Sequence, residues 1–162
     1  MPVTKVRSRW ESGSLVFTEE GGARLLLPNV VYQVRKRVAA AEINAGATLL
    51  PALEGFRYRL VDAMLIAIGG NAAGATTVDV NGTQGESGVT LLSAPIAGLT
   101  QSTIVRPQAP SGDGVDGVIL ADGASFAACD EGTAITVGKT GSDLTTATHI
   151  DVLLSYVIEA AE

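Results

Sequence analysis

Residues 56–68 constrain the fold of this chain more than any other stretch. Written out, Phe56-Arg57-Tyr58-Arg59-Leu60-Val61-Asp62-Ala63-Met64-Leu65-Ile66-Ala67-Ile68 repeats with a period of two, not 3.6. One side of the resulting strand reads Phe56, Tyr58, Leu60, Asp62, Met64, Ile66 and Ile68, an apolar row that only Asp62 interrupts. The other side starts with Arg57 and Arg59 and continues as Val61, Ala63, Leu65 and Ala67. A strand with apolar residues on both sides is covered on both sides, so the far end of this one is expected deep in a core.

A second long strand is predicted at His149–Ile158, with Ile150, Val152, Leu154, Tyr156 and Ile158 on one face. Val30–Val38 alternates as well, and Thr76–Val80, Val89–Leu92, Gly117–Leu120 and Ala134–Val137 are shorter β-branched runs. Turn chemistry separates them at Gly69-Gly70-Asn71, Asn81-Gly82, Ser111–Gly114, Asp122-Gly123 and Gly141-Ser142-Asp143. A short helix is expected at Pro95–Ser102, and Ala39–Ala45 suits either helix or strand. Some eight short strands at this spacing predict an all-β chain: a single β-sandwich or jelly-roll-like domain over residues 29–162. Residues 1–28, polar and glycine-bearing from Glu11 to Gly22, read as an extended N-terminal arm, with an ordinary first hairpin as the alternative.

Composition narrows the function. The chain has 162 residues, enough for one well-buried domain. Only 17% of residues are charged and the mean hydropathy is +0.31, yet no run is long and apolar enough to span a membrane. The surplus of weakly polar surface points to subunit contacts, and the expected state is a homo-oligomer, a trimer. Charge is divided along the chain. Before residue 61 stand nine cations and five acids, and after it two cations and twelve acids, for a net −6. Lys5, Arg7, Arg9 and Arg24 in the arm are therefore the expected partner-binding residues, and an acidic protein is their expected partner. Nucleic acid fits less well, because aromatic side chains suited to stacking do not interleave these cations.

Catalytic and metal-binding patterns are thin. Cys129 is the sole cysteine, which excludes an intrachain disulfide and a cysteine-based zinc site and suits a reducing compartment. The start MPVTKVRSRW has no apolar stretch of the kind a signal peptide needs, so use without secretion is expected. His149 is the sole histidine and sits at a strand start, with no nucleophile elbow anywhere in the chain. Gly138-Lys139-Thr140 has the end of a phosphate loop, but Thr133 stands where that loop needs its first glycine, and turn residues follow in place of a helix. Gly69–Gly74 follows a strand as a dinucleotide loop does, yet leads into another strand. Asp113, Asp116, Asp122, Asp130, Glu131 and Asp143 lack calcium-loop spacing and read as solvated loop charge. No cofactor, metal or catalytic residue is expected.

Three stretches carry a family resemblance. Ala41–Pro51 with Tyr58-Arg59-Leu60-Val61-Asp62, then Ile68–Gly74, then Asp122-Gly123 through Ile135–Thr140 to Ile150–Tyr156, together resemble small virion proteins of tailed bacteriophages and prophages. The resemblance spans most of residues 40–158 and leaves the first 28 unmatched. It implies a non-enzymatic virion component on the capsid exterior, assembled in the host cytoplasm: a decoration (cement) or head-fibre-like protein whose partner is the major capsid protein or another virion protein. A receptor- or glycan-binding β-sandwich of a phage fibre is the alternative. The single Trp10 and an aromatic content of 4% leave little for sugar stacking.

Overall fold

The computed structural model describes the backbone of residues 6–11, 14–19, 30–108, 118–120 and 127–161, and side chains within 30–106 and 127–161. The chain is an all-β sandwich. Among the described residues its strands are β1 (Val6–Glu11), β2 (Ser14–Glu19), β3 (Val31–Ala39), β4 (Ala47–Leu50), β5 (Phe56–Ile68), β6 (Ala73–Gln84), β7 (Ser87–Pro95), β8 (Ile104–Val105), β9 (Pro107–Gln108), β10 (Val118–Leu120), β11 (Ile135–Thr145) and β12 (His149–Ala160). One sheet runs β3-β12-β5-β8 and the other β4-β11-β6-β7-β10-β9, while β1 and β2 pair with each other. Pairing is antiparallel throughout except between β9 and β10.

The core lies between the two larger sheets. Leu65, Ile150 and Leu154 from the four-stranded sheet, and Val78, Leu92 and Ile135 from the six-stranded one, are essentially inaccessible to solvent. Each such side chain contributes roughly 1.5–3 kcal/mol relative to exposure. Consecutive strands cross between the sheets at one end of the sandwich: β3 to β4 through the helix α1 (Ala40–Ala45), β5 to β6, and β11 to β12. Ile43 of α1 plugs this end, and the Asn44 side chain pairs with both backbone groups of Leu144, accepting at 2.7 Å and donating at 3.3 Å. Residues 127–132 close the other end, where the Cys129 amide donates to Tyr58 of β5 and the Asp130 amide to Thr83 of β6.

Strand β5 has the predicted limits but not the predicted faces. Asp62 stands opposite Ser155 and Leu60 opposite Tyr156, so Val61 is an extra, exposed residue in a β-bulge. One inserted residue moves every later side chain to the other face. Tyr58, Leu60, Ala63, Leu65 and Ala67 therefore face the core, and Met64, Ile66 and Ile68 join Arg57 and Arg59 on the outside.

Other departures have local causes. Asn81-Gly82 is not a turn but part of β6, because a Cβ at Gly82 would lie 2.7 Å from Cys129 Sγ and 3.1 Å from Leu91 Cδ1. The chain reverses instead at Gly85 and Glu86, whose positive φ values of 59° and 63° suit a two-residue hairpin. Gly141-Ser142-Asp143 makes an irregularity within β11, where pairing jumps from Gly141↔Ala75 to Thr145↔Ala73. The expected helix at Pro95–Ser102 shrinks to one 3₁₀ turn, Ile96–Gly98, because Leu99 drops into the core and its carbonyl accepts the Ala72 amide. Within residues 1–28, read as an extended arm with an ordinary first hairpin as the alternative, Val6–Glu11 and Ser14–Glu19 form an antiparallel pair, β1 with β2.

Candidate interaction face

The outer face of the four-stranded sheet is built from three strands in register. Across β3, β12 and β5 the rows are Arg37, Asp151 and Ile66; Arg35, Leu153 and Met64; Gln33, Ser155 and Asp62; Val31, Val157 and Arg59. Ile104 of β8 extends the first row beside Ile66, and Arg106 reaches Met64, its Nη2 lying 3.3 Å from the sulfur.

Two triads of the same composition mark this face. Each joins an Arg-x-Arg pair from one strand, where i and i+2 side chains share a face, to an acid of β12. In the first, Arg37 Nε donates to Asp151 Oδ1 at 2.7 Å and its Nη2 to Oδ2 at 3.0 Å, while Arg35 Nη2 donates to Oδ2. The Asp151 side chain is 2% exposed, whereas those of Arg35 and Arg37 are 64% and 55% exposed. The bidentate Arg37 geometry is the stronger kind of charge-assisted contact. It holds the Asp151 carboxyl at about 2, against an ordinary 3.8, because its hydrogen bond favours the ionised form more than burial opposes it, with Arg35 adding to the effect. Arg37 is raised in turn, first by that hydrogen bond and then by the charge of Asp151.

In the second triad Arg59 Nε donates to Glu159 Oε1 at 2.6 Å, and Arg57 Nε lies 3.9 Å from Oε2. The Arg57 Nε is buried and makes no hydrogen bond. Asp151 and Glu159 are eight positions apart on β12, which places the triads about 27 Å apart at a rise of about 3.4 Å per residue. Beside the first triad lie Ile66, Met64 and Leu153, all half-buried, with Ile104 57% exposed at the margin, and the polar row Gln33, Ser155 and Asp62 separates this apolar patch from the second triad.

The face offers arginine N–H donors beside an apolar patch; of its acids, Asp151 and Glu159 are occupied by arginine and Asp62 accepts the Ala63 amide. The opposite, six-stranded sheet presents hydroxyls. There Asp79, 4% exposed, accepts from Thr77 Oγ1 at 2.8 Å and Ser93 Oγ at 2.5 Å.

Arg7 and Arg9 belong to β1, and Lys5 and Arg24 lie outside the described residues, as do Asp113, Asp116 and Asp122. His149 Nδ1 lies 3.0 Å from Thr148 Oγ1, and the buried Cys129 thiol is pushed up, mainly by desolvation. Gly138-Lys139-Thr140 lies within β11, with Lys139 Nζ bonded to the Gly141 carbonyl and paired with Asp143. Asp130 accepts the Gly85 and Glu86 amides and so fixes the β6–β7 turn. Among the described residues no group of three or more His, Cys, Asp or Glu side chains could hold a metal ion, and no helix is long and apolar enough to cross a membrane. Compared with known proteins, the chain matches no family model, no curated protein and no solved structure.

Proposed function

We propose that this chain is a non-enzymatic structural protein of a bacteriophage virion, a decoration protein that binds the outside of the head as a homotrimer and stabilises the shell through the major capsid protein. The observation that supports this reading most directly is the outer face of the four-stranded sheet. It combines exposed apolar side chains, Val31 and Ile104 above all, with five arginines, in a chain whose net charge is −6. An apolar strip with a polar rim is the usual anatomy of a protein-binding surface. A rigid sandwich also keeps such a face in one shape before binding, which limits the entropy lost on docking.

The experiment is reconstitution on particles assembled without this protein. Full-length protein is expected to cosediment with the heads at saturable stoichiometry and to raise the temperature at which they release their genome. No cosedimentation, with folding confirmed by circular dichroism, contradicts the proposal.

A further inference from the structure

The four-stranded sheet has a docking chemistry that can be read from its two triads. The geometry points to an acidic protein surface as the occupant of its outer face, lying along β12 so that each arginine pair receives a carboxylate while apolar side chains of the partner cover the patch of Ile66, Met64, Leu153 and Ile104 beside the first pair. This rests on the structural reading above and assigns that reading's contact surface to side chains outside the N-terminal arm.

Three observations carry it. First, each triad has two guanidinium groups for one carboxylate, so each keeps a net positive charge and spare N–H donors: the side chains of Arg35 and Arg37 are more than half exposed, and those of Arg57 and Arg59 are 36% and 40% exposed. Second, the internal acids hold the forks in place. Asp151 fixes Arg37 through two bonds and Glu159 fixes Arg59 through one, so less side-chain freedom is lost when a further carboxylate arrives. Third, Arg35, Arg37, Arg57, Arg59 and Arg106 share this face of a molecule with a net charge of −6, which steers an acidic partner to that face.

Nucleic acid fits the same face poorly. A phosphate backbone favours a continuous run of cations, whereas here the polar row Gln33, Ser155 and Asp62 separates the pairs, and Asp151 and Glu159 lie among them. That pattern of separated charged anchors with an apolar patch beside one of them matches a protein surface.

The test uses isotope-labelled full-length protein and three probes: a synthetic oligoglutamate peptide, an oligolysine peptide and a short DNA duplex. Oligoglutamate is expected to shift the Nε resonances of Arg35, Arg37, Arg57 and Arg59 and the methyl of Met64. Its affinity is expected to fall roughly tenfold in Arg57→Gln/Arg59→Gln, since both side chains are partly exposed and their loss leaves only the partly exposed Glu159 behind. Arg57→Lys/Arg59→Lys keeps the charge and the fold but not the fork, and is expected to lose about half of that effect on a logarithmic scale. Unchanged affinity in both variants, shifts confined to β1 and its neighbours, or duplex DNA binding more tightly than oligoglutamate overturns the assignment.

Reconstitution on particles separates this inference from the reading beneath it. Wild-type protein that decorates heads while both variants decorate equally well places the contact elsewhere and leaves the virion role standing. Wild-type protein that binds oligoglutamate through the arginines yet ignores the heads contradicts the virion role and leaves the acidic-partner face standing.

Discussion

Arg37 grips Asp151 through two hydrogen bonds, 2.7 and 3.0 Å, in which the acid is buried and the base is not. The asymmetry decides which loss hurts more. Without Asp151, both arginines can turn into water. Without the arginines, a carboxylate is stranded. Arg35→Ala/Arg37→Ala is therefore expected to destabilise the fold more than Asp151→Ala, which is expected to cost about 1–2 kcal/mol. Urea unfolding of the two variants measures the order, and an equal or greater loss in Asp151→Ala contradicts it.

The same pair sets a dependence on pH. The Asp151 carboxyl titrates at about 2 in the fold and near 3.8 when unfolded, so its contribution is complete above about pH 4 and is lost as the pH falls through 2. Its charged neighbours on this face are Arg35 and Arg37 from β3, which stay protonated throughout, while Ile66 faces it from β5. Unfolding midpoints of wild type and Asp151→Asn are expected to differ at pH 5 and to converge near pH 2. A gap that stays constant across that range assigns the acid sensitivity to other carboxylates.

Much of the architecture was legible in the sequence, and what was missed has identifiable causes. The limits of β5 and the core face of β12 follow from period-two alternation, because each strand is long enough for the pattern to be unambiguous. The outer face of β5 was not legible, since one bulge residue at Val61 reversed the phase of everything after it. The charged Asp62 within an apolar row was the available signal, and it marks the place where the row changes sides. The arginine pairs were visible as Arg35-Lys36-Arg37 and Arg57-Tyr58-Arg59, but their acids lie on β12, about a hundred residues away. No composition count joins residues at that distance; strand pairing does. Asn81-Gly82 misled because glycine there answers to the close approach of Cys129 and not to a turn.

That close approach predicts an interaction between two substitutions. Gly82 has no left-handed backbone to protect, so Gly82→Ala acts only through its new methyl, 2.7 Å from Cys129 Sγ. The single variant is expected to lose about 1–3 kcal/mol through overpacking, and in a Cys129→Ala background most of that cost is expected to vanish. Denaturant melts of the four proteins in this cycle give the coupling directly. Additive losses contradict the packing account.

Association of the chain with itself is a separate expectation. With 17% charged residues and exposed Val30, Val31, Val61 and Ile104, the full-length protein is expected to run as a trimer of 16.5 kDa subunits. Light scattering coupled to size exclusion reads the mass, and a single monomeric species at micromolar concentration rejects the trimer.

The central claim, that the outer face of the four-stranded sheet is covered when the protein joins its assembly, is tested most directly at one atom. Met64 lies in the middle of that face, half-buried, with its sulfur 3.3 Å from Arg106. Its thioether is a sensitive target for hydroxyl radicals, and the other methionine, Met1, lies in a separate peptide after digestion. Oxidation of Met64 in free protein and in protein bound to heads, quantified by mass spectrometry, is expected to fall at least severalfold on binding. Equal rates in the two states, with binding verified by cosedimentation, contradict the claim.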